Sequence, residues 1–252
     1  LFTATSATCV TGLVVADTAL TWSPFGQAVI LLMIQLGGLG FMTVMTLVSL
    51  WAHRRIGLSE RLIMVSTLNL NDLDGVVRVV RHALMGTAFF ELAGAALLSI
   101  RMIPKYGFFR GLWHALFHSV SAFCNAGFDL QGVDTGAFSS LAAFQDDPLT
   151  LLTTSALVII GGLGFFVWED ILQNRCWKKL TLYSKLVLAI PAFLLIGGTL
   201  FFMVAEGGNP ATLGGMDTGE KWLNAFFQSM TLRTAGFNVI DQGAMTDNAT
   251  VV

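Results

Sequence analysis

The chain has 252 residues, 54% of them apolar and only 12% charged, with a net charge of −2, and its mean hydropathy is +0.71. Charge this sparse excludes an ordinary soluble domain, where about a quarter of residues are charged. The near-neutral balance, with no basic cluster, gives no footing for nucleic acid, and Cys9, Cys124 and Cys176 lack the spacing of a disulfide framework or a metal site. What remains is a multi-pass membrane protein.

The chain starts on LFTATSATCVTGLVVADT, small and apolar, without a leading Met and without the charged region of a signal peptide. Four long apolar segments follow, at residues 25–51, 79–103, 149–168 and 186–205. Each is about 20 residues or more, enough to cross the hydrocarbon as a helix, and a lone strand there would leave its backbone unsatisfied. Pro191 is expected to kink the fourth near its start. Two shorter apolar segments, 108–123 and 222–232, are too short to span and read as re-entrant or buried. Each runs into a glycine-bearing stretch, CNAGF and RTAGF.

Charge orients these segments. Arg54, Arg55, Arg61, Arg78 and Arg81 lie between the first two spans, and Arg175, Lys178, Lys179 and Lys185 between the last two, nine of the fourteen Lys and Arg. By the positive-inside rule the basic loops, 52–82 and 169–185, are expected to be cytoplasmic. The other loops collect Asp17, Asp129, Asp134, Asp146, Asp147, Glu206, Asp217, Glu220, Asp241 and Asp247. The short segments and their glycine stretches then fall on the outer side. The acids there could concentrate cations at a mouth, although solvated loops are the safer reading.

An internal repeat organises the whole. FTATSATCVTGL (residues 2–13) aligns without gaps on FHSVSAFCNAGF (117–128), and FQSMTLRTAGF (227–237) matches the second copy with one residue deleted. The helices behind the first two copies also agree, IQLGGLGF (34–41) with IIGGLGF (159–165). Bare backbone at membrane depth is tolerated only where protein buries it or water and ions contact it. Three such strips are best explained as a ring whose carbonyls replace the hydration shell of a monovalent cation. Gly12, Gly127 and Gly236 supply the backbone freedom this needs.

These strips resemble the filter loops of the Trk/Ktr/HKT superfamily of potassium transporters, with the nearest likeness in the bacterial Trk/Ktr translocating subunit. The resemblance covers essentially the whole chain. It implies an all-α multi-pass membrane protein of repeated helix, pore helix, filter loop and helix units around a pseudo-fourfold pore. Three of the four filter loops are present. Residues 1–78 are then the end of repeat 1, 79–180 repeat 2 and 181–252 the start of repeat 3, with the fourth repeat absent and the N-terminus missing. The filter residues carried over are Cys9, Val10, Thr11 and Gly12; Cys124, Asn125, Ala126 and Gly127; and Arg233, Thr234, Ala235 and Gly236. Glycine in the first strip goes with potassium in the family, and serine with sodium. Cys9 and Cys124 depart modestly from the family's usual Thr and Asn.

The resemblance also implies a homodimer in the bacterial inner membrane, docked on a cytosolic nucleotide-binding regulatory subunit. The transported ion is K+, with no other cofactor. Transport of Na+, or of both ions, is the alternative within the superfamily. Outside transport, the rival is a membrane enzyme with His114, His118 and Glu91 around a metal, which requires those groups to converge. The plainer reading of His114 and His118 is a polar contact of the pore helix. Glu91, inside a span, is too costly to be without a partner. It pairs with a base, sits protonated, or bonds a neighbouring repeat. Cys9 and Cys124 occupy equivalent places, as a redox pair or, more plainly, as small residues packed behind the strip. Arg233 holds that place in the third copy, and its cation should point away from the pore, toward a carbonyl or an acid. The GGLGF glycines are hinges or, more commonly for membrane helices, close-packing sites against the pore helix.

Overall fold

The computed structural model describes residues 1–40 and 76–250, and every described regular element is helical. Arg54, Arg55 and Arg61, the end of the first apolar segment and most of the first basic loop lie outside the described residues. The main helices are α1 (Phe2–Thr8), α2 (Pro24–Leu39), α3 (Val76–Tyr106), α4 (Phe108–Phe123), α5 (Pro148–Gly161), α6 (Phe165–Asn174), α7 (Leu182–Glu206) and α8 (Thr218–Thr231).

Their starts are written locally. Ser23 Oγ accepts from Gly26 N and Pro24 opens α2; Asp147 accepts from Leu149 N and Pro148 opens α5; Thr181 accepts from Ser184 N at α7. Each satisfies one of the amides that an α-helix leaves without a partner. At α8, Glu220 reaches back to Asp217 N, half of a capping box.

Two described helices are long and apolar enough to cross a membrane, Arg81–Tyr106 and Leu182–Glu206. The second presents Phe193, Ile196 and Val204 outward, as lipid requires. It runs unbroken through Pro191 and is not interrupted there. The third apolar segment is not one straight helix. α5 and α6 meet at 90°, across Gly162–Gly164, where Gly164 takes φ +81. Of the carbonyls at the break, Ile160 O finds a side-chain donor in Trp168 Nε1 at 3.1 Å. This is how a broken helix survives at membrane depth. At the far end of α6, Asp170 accepts from Asn174 Nδ2, Thr181 N, Thr181 Oγ1 and Ser184 Oγ, which fixes the turn into α7.

The two short helices read from sequence, 108–123 and 222–232, correspond to α4 and α8. α3 and α4 form a hairpin turned at Gly107 (φ +81), packed so closely that a Cβ on Gly111 would lie 2.5 Å from Ile103 Cα. Phe117, Phe227 and Phe237 are fully buried. One apolar cluster joins α1, α2 and α4 through Ala7, Ile34 and Phe117. A second joins α3, α4, α5, α7 and α8 through Leu98, Phe123, Leu157, Phe202 and Phe227. Lipid competes with protein for apolar side chains, so close backbone approach at small residues holds such a bundle together better than apolar area does.

Candidate ion filter

α1, α4 and α8 each run inward and stop at a short non-helical strip. The strips share one backbone path despite sharing few residues. Val10, Asn125 and Thr234 take left-handed φ of 55°, 55° and 61°, and two residues later Gly12, Gly127 and Gly236 take φ of 78°, 69° and 75°. Left-handed backbone is uncommon for a non-glycine residue and unusual for a β-branched one. Its appearance at three matched positions marks a required conformation. The intervening amides are held alike: Thr11 N donates to Ser6 O at 2.9 Å and Ala126 N to Ser121 O at 2.8 Å. In the third strip Ala235 N donates to Thr231 O at 3.1 Å, four residues back instead of five, so the deleted residue is absorbed at the helix end.

The strips meet at their glycines. A Cβ on Gly127 would lie 2.8 Å from Gly236 Cα and 3.0 Å from Ala235 O, and one on Gly12 would lie 2.8 Å from Ala126 O. No side chain fits at any of the three, and positive φ excludes one independently. Beyond them, Phe128 N donates to Ser121 Oγ at 2.9 Å and Phe237 N to Thr231 Oγ1 at 3.1 Å. The equivalent Ser6 hydroxyl has no hydrogen-bond partner among the described residues.

The GGLGF glycines seat the helices behind the strips. A Cβ on Gly37 would lie 2.1 Å from Thr8 O, and one on the matching Gly161 would lie 1.8 Å from Phe123 O. They are packing sites against the ends of α1 and α4. Gly40 and Gly164 differ, with φ +79 and +81 and open space around them. Below the second strip, Gly38, Leu39, Cys124, Asn125, Gly161, Gly164 and Phe165 line a cavity of about 160 Å³.

The side chains singled out from sequence divide clearly. Cys9, Cys124 and Cys176 are all free thiols, and Cys124 packs on Gly38. The Asn125 amide, oriented with its nitrogen toward them, donates to Val158 O at 3.2 Å and Ala122 O at 3.1 Å. Thr234 Oγ1 donates to Arg233 O at 2.6 Å. Arg233 is half-buried, and its Nη1 reaches neither a carbonyl nor an acid among the described residues. His118 is wholly buried and pairs its Nε2 with Thr154 Oγ1 at 3.1 Å, while Glu91 accepts from Gln35 Nε2 at 3.1 Å. Among the described residues no three His, Cys, Asp or Glu groups stand close enough to hold a metal, so the metal-enzyme reading has no geometric support.

The acids outside the two basic loops are not uniformly solvated. Asp17 is buried and accepts from Ala19 N, Leu20 N and Phe138 N, fastening the loop before α2 to the loop after α4. Glu206 is fully buried and accepts from Asn209 Nδ2, Thr212 Oγ1, Thr246 N and Thr246 Oγ1. It anchors the chain that leaves the third strip. Burial pushes the Asp129 carboxyl above the usual carboxylate range, opposed by hydrogen bonds from Gln131 N and Ser140. Ser140 Oγ also accepts from Asn238 N at 3.2 Å, so one hydroxyl serves the exits of the second and third strips. Sequence reading missed these anchors. Asp17 ahead of Thr18 carried a capping signal; Glu206 and Ser140 carried none, because their partners are distant in the chain.

A family model described as cation transport protein, TrkH, matches residues 1–252. The chain is 44% identical to the potassium/sodium uptake protein NtpJ of Enterococcus hirae over 96% of its length and 52% of the relative's. It is 41% identical to the Ktr system potassium uptake protein B of Bacillus subtilis over 100% of its length and 55% of the relative's. The corresponding protein of Vibrio alginolyticus is 38% identical, with 100% and 54% covered. The chain therefore spans about half the length of these relatives, which are named as uptake proteins and not as enzymes. With its full length matched by the family and its helices apolar enough to span a membrane, the chain belongs to the TrkH family of cation transport proteins.

Proposed function

We propose that this chain forms most of the pore of a potassium uptake protein. The observation that carries the reading is the shared backbone path of Cys9–Gly12, Cys124–Gly127 and Arg233–Gly236, with three positive-φ glycines in contact. The filter is backbone, so the side chains can differ while the conformation repeats. Carbonyls of the three strips, with a fourth from the remainder of a full-length protein, exchange for the water shell of K+. Binding at several weak sites in single file then lets the ion leave. Repeat units of 1–78, 79–180 and 181–252 follow from the same equivalence.

The strips face outward and the basic segments, including the exposed Arg175, Lys178 and Lys179, face the cytoplasm of a bacterial inner membrane. The names of the Ktr system relatives support a multi-component assembly, here a homodimer with a cytosolic nucleotide-binding regulatory subunit. Sodium passage is the second reading, and one relative's name, potassium/sodium uptake protein, keeps it in view. Glycine at position 12 favours potassium. The test is growth of a bacterium lacking potassium uptake, at limiting K+, carrying the full-length protein as wild type or Gly127→Ser. Rescue by wild type, with loss or sodium leak in the variant, supports the reading. No rescue despite verified membrane expression overturns it for potassium and leaves sodium in front.

A further inference from the structure

We infer that Glu91 is a positioning residue for the second strip, acting with Gln35 through Cys124; this rests on the filter reading above. Glu91 stands in the middle of α3, where a carboxyl group is costly to bury, and it is 7% exposed. Its Oε2 accepts from Gln35 Nε2 on α2 at 3.1 Å. Its Oε1 lies 4.0 Å from Cys124 Sγ, and Gln35 Oε1 lies 3.9 Å from the same sulfur, both within reach of a thiol hydrogen bond. On the remaining side Gly38 leaves room only for the sulfur, because a Cβ there would lie 2.4 Å from it. Two helices from different repeat units thus close on the first residue of one strip.

The third copy separates packing from positioning. Ser119 Oγ donates to Glu91 O at 2.6 Å, and Ser229 Oγ donates to Leu195 O at 3.0 Å. Gly94 admits Ser119 as Gly198 admits Ser229, with Cβ distances of 2.6 and 2.3 Å to the hydroxyls. The seat between first helix and pore helix is therefore the same in both, and it is built without a carboxylate where Leu195 replaces Glu91. In that copy Arg233 replaces Cys124. The carboxyl group is not needed to pack the helices. What it adds is a hold on Gln35 and Cys124, immediately before the left-handed turn at Asn125 that leads to Gly127.

The test uses the full-length protein in the same uptake-deficient bacterium, with K+ and Na+ uptake measured at equal membrane abundance. Glu91→Leu, which copies the third repeat, is expected to raise the KM for K+ about tenfold and to narrow K+ over Na+ discrimination, with maximal rate within about threefold. Glu91→Gln keeps a hydrogen-bonding amide and is expected within about threefold of wild type. Gln35→Leu is expected to copy Glu91→Leu, and the double variant to be no worse than either. Unchanged KM and discrimination in Glu91→Leu, a Glu91→Gln as impaired as Glu91→Leu, or additive effects would each overturn the inference. If Glu91→Leu fails to reach the membrane, Gln35→Leu decides alone. A wild type that moves no K+ instead sinks the filter reading, whereas a competent wild type sensitive to Gly127→Ser but indifferent at Glu91 sinks only this step.

Discussion

Gly161→Ala is the sharpest probe of how the helices hold the strips. The added Cβ would lie 1.8 Å from Phe123 O and 2.8 Å from Phe123 C. A relaxed carbon–oxygen contact needs about 3.3–3.6 Å, so α5 must withdraw by roughly 1.5 Å at that point. A gap of even 0.5–1 Å forfeits about a quarter to a half of the dispersion energy along the seam. Overpacking of this kind costs about 1–3 kcal/mol. The upper end applies, because the obstruction is a backbone carbonyl that has no rotamer to change. The gain in helix propensity from Gly to Ala is at most about 1 kcal/mol and cannot offset it.

Two other glycines serve as controls for that number. Gly164 has open space but φ +81 and ψ 150, a region that is essentially glycine-only, so Gly164→Ala costs about 1–3 kcal/mol through strain alone. Gly197 is helical with nothing within 4 Å, so Gly197→Ala is expected to be neutral or slightly stabilising. Thermal melting of the full-length protein in detergent, followed by gel filtration, ranks the three. Phe123 directly precedes Cys124, so Gly161→Ala is also expected to impair ion discrimination at temperatures where the protein remains folded. Melting and discrimination of Gly161→Ala indistinguishable from those of Gly197→Ala would refute the packing argument.

Thr231→Val removes the hydroxyl that accepts from Phe237 N and leaves a buried amide without a partner, a loss of about 1–3 kcal/mol; melting of the full-length protein reads it, and an unchanged midpoint counts against the bond. Asp17→Ala frees three amides at once, including Phe138 N on the loop after α4. Hydrogen exchange at Phe138 is expected to be faster in the variant than in the wild type, with the buried Ala225 of α8 unchanged, and equal protection of Phe138 in the two would show that the loops do not depend on Asp17.

How much of this was legible in the sequence depends on the distance between partners. The short helices α4 and α8 and the strips that follow them were readable because each is a contiguous string, copied along the chain, and α4 occupies the segment read from apolar length alone. The right angle between α5 and α6 was not readable. GGLG admits both a packed helix and a broken one, and the choice depends on Gly164 adopting φ +81 where Gly161 does not. Arg233 was expected to find an acid or a carbonyl, and its buried Nη1 reaches neither among the described residues. The partner of Glu91 could not be named, because Gln35 lies 56 residues away on another helix. The acids outside the basic loops looked interchangeable until Asp17 and Glu206 proved to be buried acceptors.

The backbone equivalence of the strips makes one further demand, at Val10. This residue holds φ 55, where a β-branched side chain is least at ease. The left-handed region costs a residue with a Cβ roughly 1–2 kcal/mol, and asparagine is the side chain that best tolerates it. Asparagine already stands at the matched position 125, where its amide reaches Val158 O and Ala122 O. By the same alignment the matched carbonyls are those of Ile34 and Ala7, members of the apolar cluster against which Val10 packs. Val10→Asn should therefore relieve strain and gain one or two hydrogen bonds, each worth about 0.5–1.5 kcal/mol. The cost is the methyl contact of Val10 with the helix at Gly37, worth about 0.8 kcal/mol per buried group. The balance favours the variant by about 1–2 kcal/mol, so a higher melting temperature is expected, with K+ transport retained. A lower melting temperature with transport lost would mean that the first strip does not share the backbone environment of the second, and the threefold equivalence behind the filter reading would fail at its first member.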